Sequence, residues 1–277
     1  MKQSDQSAKS RVSTGIFIAV VICAVIITSH IPAVMTAVVL VLNILALYEL
    51  FSSAYLLLES ILLILATTAV TAISLLPILD YDQSLLYVLP LAILIFWRIM
   101  KRIGKCKLDS SIKVFGITLL VAFLFKSIPS VRAMEHGFIY LIAAVLSGCI
   151  TDIFAYLVGR KWGKHKLCPV ISPKKTVEGS IGGTLATVAS LLLLGWMAEI
   201  IASAQVNYPL LTLYAVLSSI VGQFGDLSMS AVKRCQGVKD FGNLLPGHGG
   251  VLDRFDSLLL IAPFTLLFCR HIGPFFL

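Results

Sequence analysis

The chain has 277 residues, of which 58% are hydrophobic and only 13% charged, with a formal net charge of +8. Soluble domains carry about a quarter charged residues, so this composition excludes an ordinary water-soluble fold and points to a lipid bilayer. The six cysteines include no CxxC pair, which argues against both a disulfide framework and a zinc site.

Each bilayer crossing takes roughly 20 apolar residues. Apolar runs stand at about 13–29, 32–50, 55–79, 84–100, 112–129, 137–158, 179–198, 210–232 and 255–271. In lipid every backbone polar group needs an internal partner, so these runs are expected as helices. The first run lacks a small-residue cleavage site and leads straight into the second, so no cleavable signal peptide is expected. The expected fold class is all-α: a polytopic membrane protein of about nine transmembrane helices.

Lysine and arginine set the orientation. With the N-terminus inside, 19 of these residues fall on the inner side and 3 (Lys126, Arg132 and Arg270) on the outer. The positive-inside rule therefore selects an N-in, C-out topology. The basic excess then faces an anionic leaflet and any anionic soluble substrate, and no nucleic-acid partner is needed to explain it.

Residues 1–83, the first three crossings, read as scaffold. Residues 84–158 form a middle group that could supply a dimer interface, and residues 159–277 form the catalytic region. Glu49 and Glu59 are the exceptions in the apolar N-terminal half, and solvation at the membrane interface explains their positions near helix ends. Gly179 and Gly183 give the seventh run a small-xxx-small spacing that permits close helix contact.

Polar residues concentrate in two segments of the inner side. In the first, Asp152, Tyr156 and Arg160 fall at i, i+4 and i+8 along one face of the sixth helix. A carboxylate inside a membrane helix is costly unless paired, hydrated or metal-bound. An Asp–Arg contact network is the alternative explanation. The following Ser172-Pro-Lys174-Lys175-Thr176-Val-Glu178 stretch places two cations just before a helix N-terminus, where backbone N–H groups favour a phosphate. An ordinary topogenic basic loop would also account for it.

The second segment is denser. Asp226 lies inside the eighth run, and Lys233, Arg234, Lys239, Asp240, His248, Gly249, Gly250, Asp253, Arg254 and Asp256 follow within 30 residues of it. Asp253 and Asp256, three residues apart, share one face of a helical turn. With Asp226 they make an all-oxygen ligand set suited to a hard cation such as Mg²⁺. Ion pairing with Lys233, Arg234 and Arg254 is the alternative. The glycines fit neither a P-loop nor a dinucleotide fingerprint. A cationic, glycine-rich loop beside a divalent metal is equipment for phosphoryl or nucleotidyl transfer. The hydrolase motifs Gly-x-Ser-x-Gly and HExxH do not occur.

The string Ser230-x-Val-Lys233-Arg234, then Lys239-Asp240-x-Gly242-x-x-Leu245-Pro246-x-His248-Gly249-Gly250-Val251-x-Asp253-Arg254-Phe255-Asp256, resembles the full signature of the phosphatidate cytidylyltransferase family. The Asp152–Arg160 and Ser-Pro-Lys-Lys-Thr segments resemble that family's upstream motifs. The likeness runs from about residue 147 to the end, and the first 140 residues share only apolar character. The resemblance implies formation of CDP-diacylglycerol and pyrophosphate from CTP and phosphatidate. It implies a homodimeric, multi-pass enzyme of the inner (plasma) membrane whose site faces the cytoplasm. Mg²⁺ would lie on Asp226, Asp253 and Asp256, with K⁺ as a companion ion. Catalytic roles would fall to those aspartates with Lys233, Arg234, Lys239, Asp240, His248 and Arg254. Asp152, Tyr156, Arg160, Ser172, Lys174, Lys175, Thr176, Glu178, Gly249 and Gly250 would bind substrate.

Two other functions remain open at this stage. A CTP-dependent polyprenol or phytol kinase shares some motif elements. An ion-coupled transporter would also use intramembrane aspartates, but such folds show internal repeats and midplane sites, whereas the polar residues here cluster at one face.

Overall fold

The computed structural model describes residues 20, 23–55, 67, 68, 70, 81–101, 111–202, 204–245 and 249–276. Helix α1 spans Pro32–Ser53, α2 Tyr81–Lys101, α3 Ser111–Phe125, α4 Ser127–Arg132 and α5 Gly137–Trp162. An antiparallel hairpin follows, β1 (Lys166–Cys168) paired with β2 (Ser172–Thr176). Then come α6 Val177–Ala202, α7 Tyr208–Cys235, α8 Leu252–Phe255 and α9 Leu258–Leu267, which runs into a π-helical turn at Phe268–Ile272.

Five stretches are long and apolar enough to cross a membrane: Pro32–Ser53, Lys113–Arg132, Gly137–Trp162, Val177–Ile201 and Tyr208–Cys235. Leu258–Ile272 is a shorter apolar helix. The chain is thus an essentially all-α membrane protein. The expected runs 13–29 and 55–79 lie largely outside the described residues.

Two local expectations change. The Ser172–Thr176 stretch forms strand β2 rather than a loop, with Lys166 opposite Thr176 and Cys168 opposite Ser172. Pro173 is tolerated there because a two-stranded ribbon consists only of edges. The run at 255–271 is not one continuous rod. It breaks at Asp256 and Ser257, where the Ser257 N–H donates to the Asp256 side chain at 2.8 Å. A carboxylate that captures a local backbone donor competes with the helical ladder.

The core follows from side-chain size. α5 and α6 pack along much of their length, and Gly179 and Gly183 explain how. A Cβ at Gly183 would sit 2.6 Å from the Thr151 carbonyl oxygen, and one at Gly179 would sit 2.5 Å from that of Ala155. Small polar side chains then join α5, α6 and α7. Thr151 Oγ1 lies 2.7 Å from Thr187 Oγ1 and donates to Ser219 Oγ at 3.0 Å, while Thr184 lies 3.0 Å from Ser219. Such hydrogen bonds hold membrane helices together where the hydrophobic effect cannot.

α9 is apolar on every side and packs against α2, α3, α4, α5 and α7. That is the behaviour expected of a central helix. Near its C-terminal end, Tyr214 stacks on Phe275 with ring centroids 4.5 Å apart, and the Tyr140 hydroxyl donates to the Phe276 carbonyl at 2.9 Å. α1 packs against α3, α4 and α8, so an N-terminal helix touches the C-terminal signature directly.

Candidate active site

A cavity of about 250 Å³ opens between α5, the hairpin, α6 and α7. Asp152 and Tyr156 face it from α5, Ser172, Lys174, Lys175 and Thr176 from β2, Ser180 from α6, and Gln223 and Asp226 from α7. The hairpin's strand thus delivers two lysines opposite two aspartates. Lys175 Nζ forms an ion pair with Asp226 Oδ2, and the two side chains are 24% and 20% exposed. Asp226 Oδ1 accepts from Ser230 Oγ at 3.3 Å, which orients the carboxylate from its own helix.

Beneath this opening the charges are interlinked. Asp152 Oδ2 accepts from Ser257 Oγ at 3.2 Å. The charges of Asp226, Lys233, Asp152 and Lys175 all act on Asp256, and those of Asp226, Lys175 and Arg254 act on Asp152. Asp152, Asp226 and Asp256 therefore share one electrostatic neighbourhood.

Asp253 occupies a different setting from the one expected of a metal ligand. Its Oδ1 accepts from Lys233 Nζ at 2.8 Å, and the side chains are 2% and 10% exposed respectively. Its Oδ2 accepts from the N–H groups of Gly250 at 2.9 Å and Phe241 at 3.1 Å. Lys233 also lies over the Phe241 ring, 5.4 Å from the centroid. Asp253 and Lys233 thus clamp the signature loop across its base.

A second carboxylate holds the loop from outside. Glu49 of α1 is 0% exposed, and its two oxygens accept from Val251 N at 2.6 Å and Leu252 N at 2.8 Å. The interfacial solvation expected for Glu49 is therefore replaced by burial against the loop. A separate cavity of about 480 Å³ lies beside it, walled by Tyr48, Glu49, Ser52 and Asp240 to Leu244 among others.

Other expected residues are distributed as follows. Thr176 Oγ1 accepts from Gly179 N at 3.2 Å, so it caps α6 as well as lining the cavity. Glu178 is not a cavity wall. It accepts from the N–H groups of Lys164 and His165 and lies 2.6 Å from His165 Nδ1, which fastens the hairpin's start. Arg234 donates to the carbonyls of Ile171 at 3.4 Å and Val238 at 3.0 Å, linking the hairpin turn to the signature loop. Arg160, Lys239, Asp240 and Arg254 are exposed. Among the described residues no ion pair joins Asp152 to Arg160, so the Asp–Arg alternative is not formed. Gly249 takes a left-handed conformation, with φ of 82°, and forms an isolated antiparallel bridge with Leu245. His248 lies outside the described residues.

Gln223 and Ser180 were not singled out in the sequence, and the loop contact of Glu49 was not foreseen there. Each is a polar residue in an apolar helix, which is itself a signal of function or of a satisfied internal contact.

The donor set fits a hard cation in a particular way. No three carboxylate, histidine or cysteine side chains among the described residues form a metal-holding group. The expected convergence of Asp226, Asp253 and Asp256 is therefore not met, because Lys233 and two backbone amides hold Asp253. Mg²⁺, however, is commonly held by one or two carboxylates together with substrate phosphates. Asp226 lines the cavity, and its charge acts on the buried Asp256.

A family model described as the Cytidylyltransferase family matches residues 9–272. A phosphatidate cytidylyltransferase of Staphylococcus epidermidis is 46% identical over 129 residues, covering 47% of this chain and 48% of the relative. One from Bacillus subtilis is 46% identical over 130 residues, covering 47% of each. A Staphylococcus aureus protein of the same name is 44% identical over 129 residues, covering 47% of this chain and 48% of the relative. The chain thus spans about half the length of the relatives it matches.

Proposed function

The chain belongs to the cytidylyltransferase family, and from that membership we propose that it is a phosphatidate cytidylyltransferase, converting CTP and phosphatidate to CDP-diacylglycerol and pyrophosphate. The observation that carries this reading is the cavity in which Lys174 and Lys175 face Asp152 and Asp226. Cations for phosphates and carboxylates for a metal meet there beside the bilayer-embedded helices. The names of the relatives, matched over about half of their length, agree with it.

The chemistry needs no strong base. A phosphate monoester carries between one and two negative charges at neutral pH, so its oxygen is already a nucleophile. That oxygen forms a bond to the α-phosphorus of CTP. The bond from the α-phosphorus to the α,β-bridging oxygen breaks, and pyrophosphate leaves with the electron pair. The barrier lies in bringing two polyanions together, so catalysis is positioning plus charge stabilisation. Lys174 and Lys175 would hold phosphate oxygens at the cavity. The exposed Lys239 and Arg254 would meet the leaving pyrophosphate. On substrate arrival Lys175 would exchange its Asp226 partner for phosphate and free that carboxylate. Mg²⁺, held by Asp226 and Asp256 with the substrate phosphates, would neutralise charge on the triphosphate, and K⁺ is its proposed companion. Asp253 serves this site by fixing the loop that carries Arg254 and Asp256.

The same reading places the protein in the inner membrane with nine crossings, the N-terminus and the site on the cytoplasmic side, and a homodimeric assembly. The 19-to-3 division of basic residues supports the orientation. Ile181, Leu185, Trp196 and Ile200 of α6 are exposed, suited to acyl chains or to a second copy.

Label position tests the reaction. Purified protein with phosphatidate, Mg²⁺ and CTP labelled at the α-phosphate should yield a labelled lipid, and γ-labelled CTP should yield none. Transfer of the γ-label to a polyprenol would instead establish the kinase alternative.

A further inference from the structure

Glu49 belongs to α1, about 200 residues in sequence from the signature loop. Nothing in the chemistry of the reaction calls for a carboxylate there. Yet it is fully buried, and a buried charge is retained only where hydrogen bonds satisfy it. Both of its partners are backbone amides of the loop, Val251 N at 2.6 Å and Leu252 N at 2.8 Å. The preceding amide, Gly250 N, donates to Asp253. Three consecutive N–H groups are therefore held by two carboxylates from opposite ends of the chain.

The loop is shaped to admit Glu49. A Cβ at Gly250 would lie 2.6 Å from Glu49 Oε2, and one at Gly242 would lie 3.2 Å from Glu49 Oε1. A side chain at Gly250 would thus force the Glu49 carboxylate to move off the loop. Within four residues downstream of this contact lie Asp253, Arg254 and Asp256. Among the described residues no lysine or arginine pairs with Glu49, so the loop amides are its counterpart.

We propose that Glu49 is a positioning residue for the catalytic loop: by holding Val251 and Leu252 it sets the place of Arg254 and Asp256, and makes α1 part of the catalytic apparatus rather than scaffold alone. The proposal rests on the cytidylyltransferase reading. A displacement of about 1 Å at reacting groups costs on the order of 100-fold in rate, and such a displacement follows if the loop slackens.

The test compares kcat per folded molecule for wild type, Glu49→Ala, Glu49→Gln and Gly250→Ala in detergent, with both KM values and thermal midpoints. Glu49→Ala should lower kcat about 100-fold and leave the KM values within about threefold, the signature of a lost transition-state interaction. Glu49→Gln keeps one acceptor oxygen and should recover part of the rate. Gly250→Ala expels Glu49 sterically and should lower kcat in wild type, yet cost little more when added to Glu49→Ala, since contacting sites are non-additive. If Glu49→Ala is not recovered folded, Gly250→Ala carries the same test. Wild-type kcat in either single variant overturns the proposal, as does a change confined to thermal midpoint. Absence of CDP-lipid in the wild type would instead overturn the functional reading.

Discussion

Lys233 Nζ and Asp253 Oδ1 stand 2.8 Å apart in a nearly dry setting, whereas Lys175 and Asp226, a residue pair of the same types, meet at a cavity wall with about a fifth of each side chain exposed. Identical chemistry in two surroundings leads to two roles. The dry pair fixes the signature loop, and the wet pair can exchange partners when an anion enters.

The dry pair should behave as structure. Removing one member of a buried ion pair strands the other and costs about 3–5 kcal/mol. Lys233→Met or Asp253→Ala should therefore lower the thermal midpoint in detergent sharply, together with activity. The double variant should be less destabilised than the sum of the two. An Asp253→Ala protein that melts like wild type would show that the clamp is not what holds the loop.

The wet pair should behave as function. Partly exposed ion pairs contribute about 0–1 kcal/mol, so Lys175→Ala should melt close to wild type. Its turnover should fall and its KM for the anionic substrates should rise, because Lys175 is one of the two β2 lysines that line the cavity with Lys174. Steady-state kinetics beside a melting curve separate the two effects.

Helix contact sets the cavity's width. At Gly183 an added Cβ meets the Thr151 carbonyl at 2.6 Å, and backbone cannot yield as a flexible side chain does. Gly183→Val should therefore part α5 from α6, lower stability by about 1–3 kcal/mol and reduce turnover with it. The thermal midpoint and the yield of monodisperse protein report the outcome.

Arg234 tests geometry against charge. It reaches the carbonyls of Ile171 and Val238 from two different nitrogens. Lysine keeps the charge and loses the forked reach. Arg234→Lys should loosen the hairpin from the signature loop, seen as faster proteolysis or amide exchange around Ile171. Unchanged exchange there would mean that the two segments are held by other contacts.

Much of this was legible in the sequence because it depends on periodicity and composition. Apolar runs of membrane length became helices, and the Gly179/Gly183 spacing became a close helix contact. Asp152, Tyr156, Lys174, Lys175 and Asp226 were singled out as polar residues of the inner side, and they share one cavity. What sequence could not supply was the division of labour among carboxylates. Asp253 and Asp256 have the same chemistry and lie on one helical turn, yet a lysine from α7 claims the first. Glu49 was opaque for the same reason: its partners are backbone amides far along the chain, and no residue type marks an amide as waiting for an acceptor. The β-hairpin was missed because its strands are too short for alternation to show.

The proposed role of the cavity bearing Asp226 and Lys175 is transfer of a cytidylyl group. Its most direct measurement is the rate of CDP-diacylglycerol formation by wild type and Asp226→Asn in parallel, with Mg²⁺, CTP and phosphatidate. The wild type should form product, and the variant should lose on the order of 100-fold or more of the rate, at an unchanged melting temperature. Equal rates in the two proteins would contradict it.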